Sequence, residues 1–288
     1  MLTWREITGR AAAFLAAHGV PDPQVAAELL AARLLKTGRG FLSPLLDRAA
    51  EDRHADAMRR ALARLAKGEP IQYVLGEWDF RRLTLACDRR ALIPRPETEE
   101  LVTRVLKFLR TRENPAVVDV GTGTGCIALS LAQEHPQPAT FLGVDVSPEA
   151  VELAKANAVR CGLSGRVAFA VADGLDDFDE PETFDAIVSN PPYVATAECD
   201  RLDPRIRDHE PRLALDGGAE GLDFYERLTA DALHLLKPGG GLFYEIGDRQ
   251  GEAVRTLLFE AGFDDVRIEK DYAGLDRYAS GVLPEVCG

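Results

Sequence analysis

The chain has 288 residues, with a hydrophobic fraction of 46% and a charged fraction of 28%, which is typical of a soluble protein with one large and one small domain. No apolar run approaches the roughly 18 residues that cross a bilayer, and the first residues lack a signal-peptide core, so we expect no membrane contact and a cytoplasmic location. The net charge of −13 argues against stable binding of nucleic acid, whose phosphates usually bind a basic surface.

The cysteines and histidines are widely scattered, and no CxxC pair is present. This spacing predicts reduced thiols and no metal site. The cysteines are Cys87, Cys126, Cys161, Cys199 and Cys287.

The first 70 residues predict a small helical bundle. Thr3 and Glu6 have the spacing of a capping box, and the apolar residues that follow repeat at the helical period as far as Gly19. Asp22-Pro23 predicts the N-cap and first turn of a second helix, and Ser43-Pro44 predicts the start of another. We expect these helices to form a separate domain over residues 1–70.

Residues 71–93 differ from the bundle because aromatic and β-branched residues flank Gly76. The runs IQYVLGEWDF and RRLTLACD predict a linker that contains a short pair of strands.

From residue 94 onward, apolar runs typical of buried strands alternate with helical segments. This alternation indicates an α/β domain with a parallel sheet covered by helices. Near the end of the chain two strand patterns stand close together, which predicts a hairpin that completes the sheet. The predicted strands cover residues 116–120, 140–146, 166–172, 184–190, 240–246, 265–271 and 277–283.

The first of these strands leads into a glycine-rich turn made of Gly121, Thr122, Gly123, Thr124 and Gly125. Ligands of open α/β sheets bind at such strand-to-helix junctions. The turn fails the dinucleotide pattern GxGxxG, since Cys126 stands at its last position. A glycine turn that admits a nucleoside without requiring a diphosphate favours S-adenosylmethionine. A tight turn without a ligand is the structural alternative.

Three aspartates lie at or just after the ends of strands at this edge of the sheet. Asp145 is placed to accept hydrogen bonds from the ribose hydroxyls of a nucleoside, or to begin the next helix. Asp173 is placed to meet the adenine amino group, or else only solvates its loop. Asp119 either attracts the ammonium group of the methionine or braces the glycine turn.

The fourth strand ends in the motif Asn190-Pro191-Pro192-Tyr193. Two prolines hold φ at about −65° and keep the preceding residue extended, so the Asn190 side chain and the Pro191 carbonyl can project toward one point. Two acceptors bind both hydrogens of an NH₂ group and aim the nitrogen lone pair at a methyl donor. Tyr193 supplies a flat face for a planar substrate group. The motif predicts methylation of an amide or aromatic amine, and a proline-rich turn with a core tyrosine is the structural alternative.

Together with four further segments, this motif resembles the release factor glutamine methyltransferases of bacteria and organelles. That family methylates the glutamine of the Gly-Gly-Gln motif in class I peptide chain release factors. The resemblance extends over essentially the whole chain. The segments are QYVLGEWDF (72–80), LIPRPETEELV (92–102), DVGTGTGCIALSLA (119–132) and EPRLALDGGAEGLDFYERL (210–228).

The resemblance implies a Rossmann-like class I S-adenosylmethionine-dependent methyltransferase domain with a mixed seven-stranded sheet over residues 94–288. It also implies that the bundle of residues 1–70 docks the release factor, and we expect a monomer. The glutamine would be held by Asn190 to Tyr193, with Pro94 to Glu99 as a wall of the site. Gly174 stands where the family often has a bulky aromatic residue. The implied cofactor contacts are Gly121 to Gly125, Asp145, Asp173, Gly174 and Asn190.

Methylation of an exocyclic amine of adenine or guanine in DNA or RNA is the alternative function, because the same four-residue motif can act on a flipped base. The acidic charge and the lack of a basic recognition domain count against it. A cofactor-binding module without enzymatic activity would leave the four-residue motif without a role.

Overall fold

A computed structural model describes residues 2–285, so Cys287 lies outside the described residues. Within that range the chain divides into two compact units. The residues up to Glu77, together with Asp203–His209, form the first unit. The second unit contains Trp78–Leu202 and the residues from Glu210 onward. No helix within residues 2–285 combines the length and the apolar character needed to cross a bilayer.

The secondary structure is numbered in chain order. The helices are α1 (Trp4–Ala17), α2 (Pro23–Leu35), α3 (Asp52–Leu65), α4 (Ile71–Leu75), α5 (Pro96–Leu109), α6 (Cys126–Glu134), α7 (Pro148–Arg160), α8 (Thr196–Cys199), α9 (Pro204–Arg207), α10 (Asp223–Leu235) and α11 (Gly251–Glu260). Short 3₁₀ helices cover Arg39–Phe41, Ser43–Leu45 and Arg212–Ala214. The strands are β1 (Glu77–Phe80), β2 (Leu83–Ala86), β3 (Ala116–Val120), β4 (Thr140–Asp145), β5 (Val167–Val171), β6 (Phe184–Ser189), β7 (Leu236–Glu245), β8 (Asp264–Lys270) and β9 (Asp276–Val282).

The first unit is a helical bundle, and α1 begins with the predicted capping box. The Thr3 hydroxyl accepts a hydrogen bond from the Glu6 amide at 3.3 Å, and the Glu6 carboxylate accepts one from the Thr3 amide at 2.8 Å. The core contains Trp4 and Leu15 of α1, together with side chains of α2 and α3. Asp22 is the N-cap residue of α2 and Pro23 stands in its first turn, as predicted, although the Asp22 side chain makes no capping hydrogen bond.

The prediction that a helix starts at Ser43-Pro44 is wrong. These residues form only the 3₁₀ helix Ser43–Leu45, and α3 begins later, at Asp52. The carbonyl oxygens of Leu46 and Arg48 accept hydrogen bonds from amides at the start of α1. Those carbonyls are therefore not available to continue a helix.

The run IQYVL forms α4 and not a strand. Its apolar side chains recur at helical spacing, and Ile71, Val74 and Leu75 pack against the core of the first unit. Gly76 ends the helix with a φ of +73°. The predicted strand pair follows as the hairpin β1-β2, which forms its own two-stranded sheet.

The second unit contains a seven-stranded sheet in the order β5-β4-β3-β6-β7-β9-β8. The neighbouring strands from β5 to β7 are parallel, whereas β9 is antiparallel to both β7 and β8. The predicted mixed seven-stranded sheet with a terminal hairpin is confirmed.

Each face of this sheet is covered by helices. Val117 of β3 belongs to a core shared with α5, α6 and α7, whereas its neighbour Val118 belongs to a core shared with α10 and α11. Alternate residues of a strand point to opposite faces, so both faces of β3 are buried.

The strand register brings the candidate site residues together. Val120, the last residue of β3, pairs with Val144 of β4 and with Ser189 of β6. The residues that follow these positions, Asp145 and Asn190 among them, therefore meet the glycine turn at one edge of the sheet.

Candidate active site

A cleft with an empty volume of about 1000 Å³ lies where β3, β4 and β6 end. Of the residues predicted for the site, Gly125, Pro191 and Tyr193 do not contribute to the wall of the cleft. Those that do are Gly121, Thr122, Gly123, Thr124, Asp145, Asp173, Gly174, Asn190 and Pro192.

The glycine turn is held by backbone hydrogen bonds to β4. The amides of Gly121 and Thr122 both donate to the Val144 carbonyl oxygen at 2.9 Å. Gly121, Gly123 and Gly125 have φ values of +73°, +55° and +81°, in the left-handed region that favours glycine. The turn thus exposes backbone to the cleft with no Cβ atoms at Gly121 and Gly123.

Asp145 braces this turn from the end of β4. Its Oδ2 accepts a hydrogen bond from the Gly123 amide and its Oδ1 accepts one from the Ser147 amide, both at 2.9 Å. Burial raises the pKa of Asp145, and these two hydrogen bonds oppose the shift. The carboxylate also lines the cleft, where a ligand can reach it, whereas the N-cap of α7 is Ser147, whose hydroxyl accepts a hydrogen bond from the Ala150 amide at 3.2 Å.

Asp119 lies beneath the turn and is 1% exposed. Its Oδ2 accepts hydrogen bonds from the Thr122 hydroxyl at 2.6 Å and from the Ala128 amide at 3.2 Å. Burial raises the pKa of Asp119 to about 7. These contacts join the turn to the start of α6, which favours the bracing role over a contact with a ligand ammonium group.

The loop after β5 is held by Arg227 of α10. The Arg227 guanidinium donates to the Asp173 carboxylate at 2.8 Å and to the Asp176 carboxylate at 2.6 Å. A Cβ atom at Gly174, which has a φ of +66°, would lie 3.3 Å from this guanidinium. Arg227 thus occupies the space beside Gly174, and Phe224 of the same helix lines the cleft.

Asn190 is held by Thr98, which lies in the predicted wall but was given no role of its own, and through Thr98 by Glu245, which the sequence analysis did not identify. Its side-chain Nδ2 donates to the hydroxyl of Thr98 at 3.1 Å, and that hydroxyl donates to Oε2 of Glu245 at 2.7 Å. Thr98 and Glu245 are each 2% exposed. Burial raises the pKa of Glu245 to about 7.

The loop Asn190–Tyr193 is also clamped by the segment that follows α9. The amide of Val194, directly after the loop, donates to the Leu215 carbonyl oxygen at 2.9 Å, and the Gly217 amide donates to the Val194 carbonyl oxygen at 2.8 Å. A Cβ atom at Gly217 would lie 2.6 Å from the carbonyl oxygen of Pro192. Only glycine allows this close approach.

Tyr193 packs against the core shared with α10 and α11, and burial raises the pKa of its hydroxyl to about 12. Its carbonyl oxygen accepts a hydrogen bond from the Gln250 side chain at 3.0 Å. The predicted contact of its ring with the substrate therefore stays a prediction.

A buried ion pair holds the predicted wall of the site. Glu210 accepts hydrogen bonds from the Ile93 amide at 3.1 Å and from the Arg95 guanidinium. Pro94, Arg95 and Thr98 all line the cleft. The segment that leads into α5 is thus fixed just before Thr98.

Sequence signals for the missed residues exist but are weak. Glu245 ends an apolar strand, as Asp119 and Asp145 nearly do, and this position could have marked it. Thr98 and Gln250 lie on or beside helices, where polar residues are common. Among residues 2–285, no cluster of three or more His, Cys, Asp or Glu side chains is arranged to hold a metal ion.

Comparisons with known proteins agree with this architecture. A family model described as the methyltransferase small domain matches residues 101–206, and one described as the PrmC N-terminal domain matches residues 6–76. A solved structure of a methyltransferase from Pyrococcus furiosus is similar with a TM-score of 0.52 and 21% identity, over 71% of this chain and 90% of that one. This likeness supports the fold alone.

Curated relatives named release factor glutamine methyltransferase match almost from end to end. The protein of Geobacter sulfurreducens is 38% identical over 97% of this chain and 96% of its own length. That of Moorella thermoacetica is 40% identical over 96% and 97%, and that of Deinococcus radiodurans is 40% identical over 95% and 96%. Since fold, domain order and near-complete alignment agree, this chain is a methyltransferase that belongs to the release factor glutamine methyltransferase family.

Proposed function

We propose that this chain transfers a methyl group from S-adenosylmethionine to the side-chain amide nitrogen of the glutamine in the Gly-Gly-Gln motif of class I peptide chain release factors. The substrate is supported by family membership over nearly the full length of the relatives. The observation that carries the chemistry is the position of Asn190, which is anchored at the end of β6 and faces the same cleft as the glycine turn.

The residues of the cleft fit S-adenosylmethionine. The glycine turn lets a nucleoside approach the backbone, and the Asp145 and Asp173 carboxylates supply acceptors for hydroxyl and amino groups. Carboxylates at the rim also suit a ligand with a positively charged sulfur. When bound, S-adenosylmethionine supplies an activated methyl group.

The loop Asn190–Tyr193 orients the nucleophile. An amide nitrogen is a weak nucleophile because its lone pair is delocalised into the carbonyl group. The side-chain oxygen of Asn190 and the carbonyl oxygen of Pro191 accept the two hydrogens of the glutamine NH₂ group, which directs the lone pair toward the methyl donor. As positive charge develops on the nitrogen, the two oxygens stabilise it more than they stabilised the neutral amide. One N–H proton then leaves to solvent.

We also propose that the first unit docks the release factor and that the chain acts as a monomer in the cytoplasm. The match of residues 6–76 to a family-specific N-terminal domain supports the docking role. Deletion of that unit should raise the KM for release factor more than the KM for cofactor. Light scattering coupled to gel filtration tests the oligomeric state, and a dimer mass would contradict this part of the proposal.

Transfer of a radiolabelled methyl group tests the function. The chain is incubated with labelled S-adenosylmethionine and intact release factor, with a release factor whose motif glutamine is replaced by alanine, or with DNA and RNA. Label should enter only the intact release factor. Equal labelling of the alanine variant, or labelling of nucleic acid alone, would overturn the glutamine assignment.

A further inference from the structure

The geometry points to Thr98 and Glu245 as positioning residues that determine which end of the Asn190 amide faces the substrate. This inference rests on the proposed glutamine substrate. An NH₂ group is bound by an acceptor, so the Asn190 side chain must present its oxygen and not its own NH₂ group.

The numbers of donors and acceptors on the Thr98 hydroxyl fix the orientation of the Asn190 amide. A threonine hydroxyl has a single hydrogen to donate, and above its raised pKa of about 7 the ionised Glu245 carboxylate can only accept. The Thr98 hydroxyl lies 2.7 Å from Oε2 of Glu245, so its hydrogen is committed to that carboxylate. The remaining lone pairs of the hydroxyl can therefore only receive a hydrogen from Asn190, and the nitrogen of that amide lies 3.1 Å away.

The two ends of an asparagine amide are nearly equal in size, so packing alone distinguishes them poorly. Hydrogen bonding distinguishes them because one end donates and the other accepts. With Nδ2 held by Thr98, the Oδ1 of Asn190 is the atom that remains for a ligand in the cleft that both residues line. If the Asn190 amide were reversed, its NH₂ group would face the NH₂ group of the substrate, and two donors cannot form a hydrogen bond.

Glu245 lies where it can impose this order without touching the substrate. It ends β7, is 2% exposed and does not contribute to the wall of the cleft. Burial is the main cause of its raised pKa, and the charge of Glu97 acts in the same direction. The hydrogen bond from Thr98 and the charges of Arg277 on β9 and of Arg95 favour the ionised form. The neighbouring Tyr193 carries no charge below its raised pKa of about 12.

Steady-state methylation of release factor by variants of Thr98 and Glu245 tests the inference. Thr98→Val removes the hydroxyl at nearly constant volume, and Glu245→Gln converts the carboxylate into a group that can donate to Thr98. Each should lower kcat about 10- to 100-fold, because a reversed Asn190 amide loses an acceptor used in the transition state. The KM values for cofactor and release factor should stay within about threefold. Thr98→Ser keeps the hydroxyl and should recover most of the kcat lost in Thr98→Val.

Thr229→Val is the matched control. Thr229 is 1% exposed in the same unit, and its hydroxyl is bonded to the Tyr244 hydroxyl at 3.0 Å, away from Asn190. This variant should lower thermal stability as Thr98→Val does while leaving kcat unchanged. Calorimetric titration with S-adenosylmethionine verifies that each variant is folded.

The double variant adds a test of mechanism. If Glu245 acts through Thr98, Glu245→Gln should cause no further loss of kcat in the Thr98→Val background. Additive losses, equal losses in Thr98→Val and Thr98→Ser, or a wild-type kcat in Thr98→Val would overturn the positioning role. If Glu245→Gln does not fold, the Thr98 pair decides alone. A wild-type chain that does not methylate release factor would instead overturn the proposed function.

Discussion

The glycine turn, Gly121–Gly125, and the loop Asn190–Tyr193 follow neighbouring strands, but they are held in different ways. The turn is fixed by its own left-handed glycines and by Asp145, which lies 22 residues from its partner Gly123. The loop is fixed by residues remote in sequence, since Thr98 is 92 residues from Asn190 and Gln250 is 57 residues from Tyr193. The turn, on the proposed cofactor side of the cleft, is therefore fixed by contacts close in sequence, whereas the loop, on the proposed substrate side, depends on assembly of the whole domain.

Replacement of Asn190 should give the largest difference between the effect on turnover and the effect on cofactor affinity. Asn190→Ala removes an acceptor that orients the nucleophile, so kcat should fall by about 100-fold or more. The affinity for S-adenosylmethionine should change far less, because the glycine turn and Asp145 remain. Methyl-transfer kinetics and calorimetry measure the two quantities. Unchanged turnover would show that the loop does not orient the substrate.

Gly217→Ala should displace the loop Asn190–Tyr193 on the proposed substrate side. Its new Cβ would meet the Pro192 carbonyl oxygen and Tyr193 at 2.6 and 2.8 Å, both backbone contacts, so the loop must shift. We expect kcat to fall about tenfold or more, since small displacements of reacting groups are costly. Gly165→Ala is the control, because a Cβ atom there meets no atom within 4 Å. Equal activity of the two variants would contradict the clamp.

Asp145→Ala should instead affect the cofactor side. Loss of this carboxylate removes the hydrogen bonds that brace Gly123 and Ser147, and the proposed contact with the ribose hydroxyls. We expect the Kd for S-adenosylmethionine to rise about tenfold, with a smaller change in kcat at saturating cofactor. Calorimetry checks this value, and Asp177→Ala, which removes an exposed carboxylate near the same edge, controls for charge. An equal effect of both variants would leave no specific role for Asp145.

The smallest expected effect is on stability, because the buried carboxylates of Asp119 and Glu245 make the free energy of unfolding depend on pH. The pKa of Asp119 is raised to about 7 in the folded chain, so the folded state binds a proton more tightly than the unfolded state. The free energy of unfolding should therefore fall as the pH rises from about 4 to about 7. Asp119→Asn should flatten this dependence in urea titrations at several pH values. A slope equal to that of the wild type would contradict the raised pKa.

Glu245→Gln should flatten the same dependence, because burial raises the pKa of Glu245 in the same direction. The two variants should differ in kcat, which is expected to fall for Glu245→Gln and to change little for Asp119→Asn. This difference in kcat would distinguish Asp119, which braces the glycine turn, from Glu245, which positions the loop Asn190–Tyr193.

The features that the sequence predicts well are those that depend on neighbouring residues. The strand at 116–120 has the predicted bounds, and the glycine turn follows it directly, because a buried apolar run and a glycine cluster are local signals. The four-residue motif also stands at the predicted strand end.

The features that the sequence does not reveal depend on long-range contacts. Nothing local marks Ser43-Pro44 as unable to begin a long helix, since the competing hydrogen bonds come from the amides of α1. Residues 203–209 belong to the first unit, where His209 and Arg205 lie near Gly68. In the sequence, however, they come after the loop Asn190–Tyr193 of the second unit. Thr98 and Glu245 become significant only once the fold places them beside Asn190.

Strand β9 lies between β7 and β8, so a late segment of the chain is an interior strand of the sheet. It pairs with β7 up to the position where Tyr278 stands opposite Glu245. Protein domains begin to fold from the N-terminal side while they are still being synthesised. One edge of β7 therefore stays unpaired until residues 276–282 have left the ribosome. The support for the loop on the proposed substrate side is completed only when residues 276–282 have been made, so a chain that stops before them is expected to be inactive.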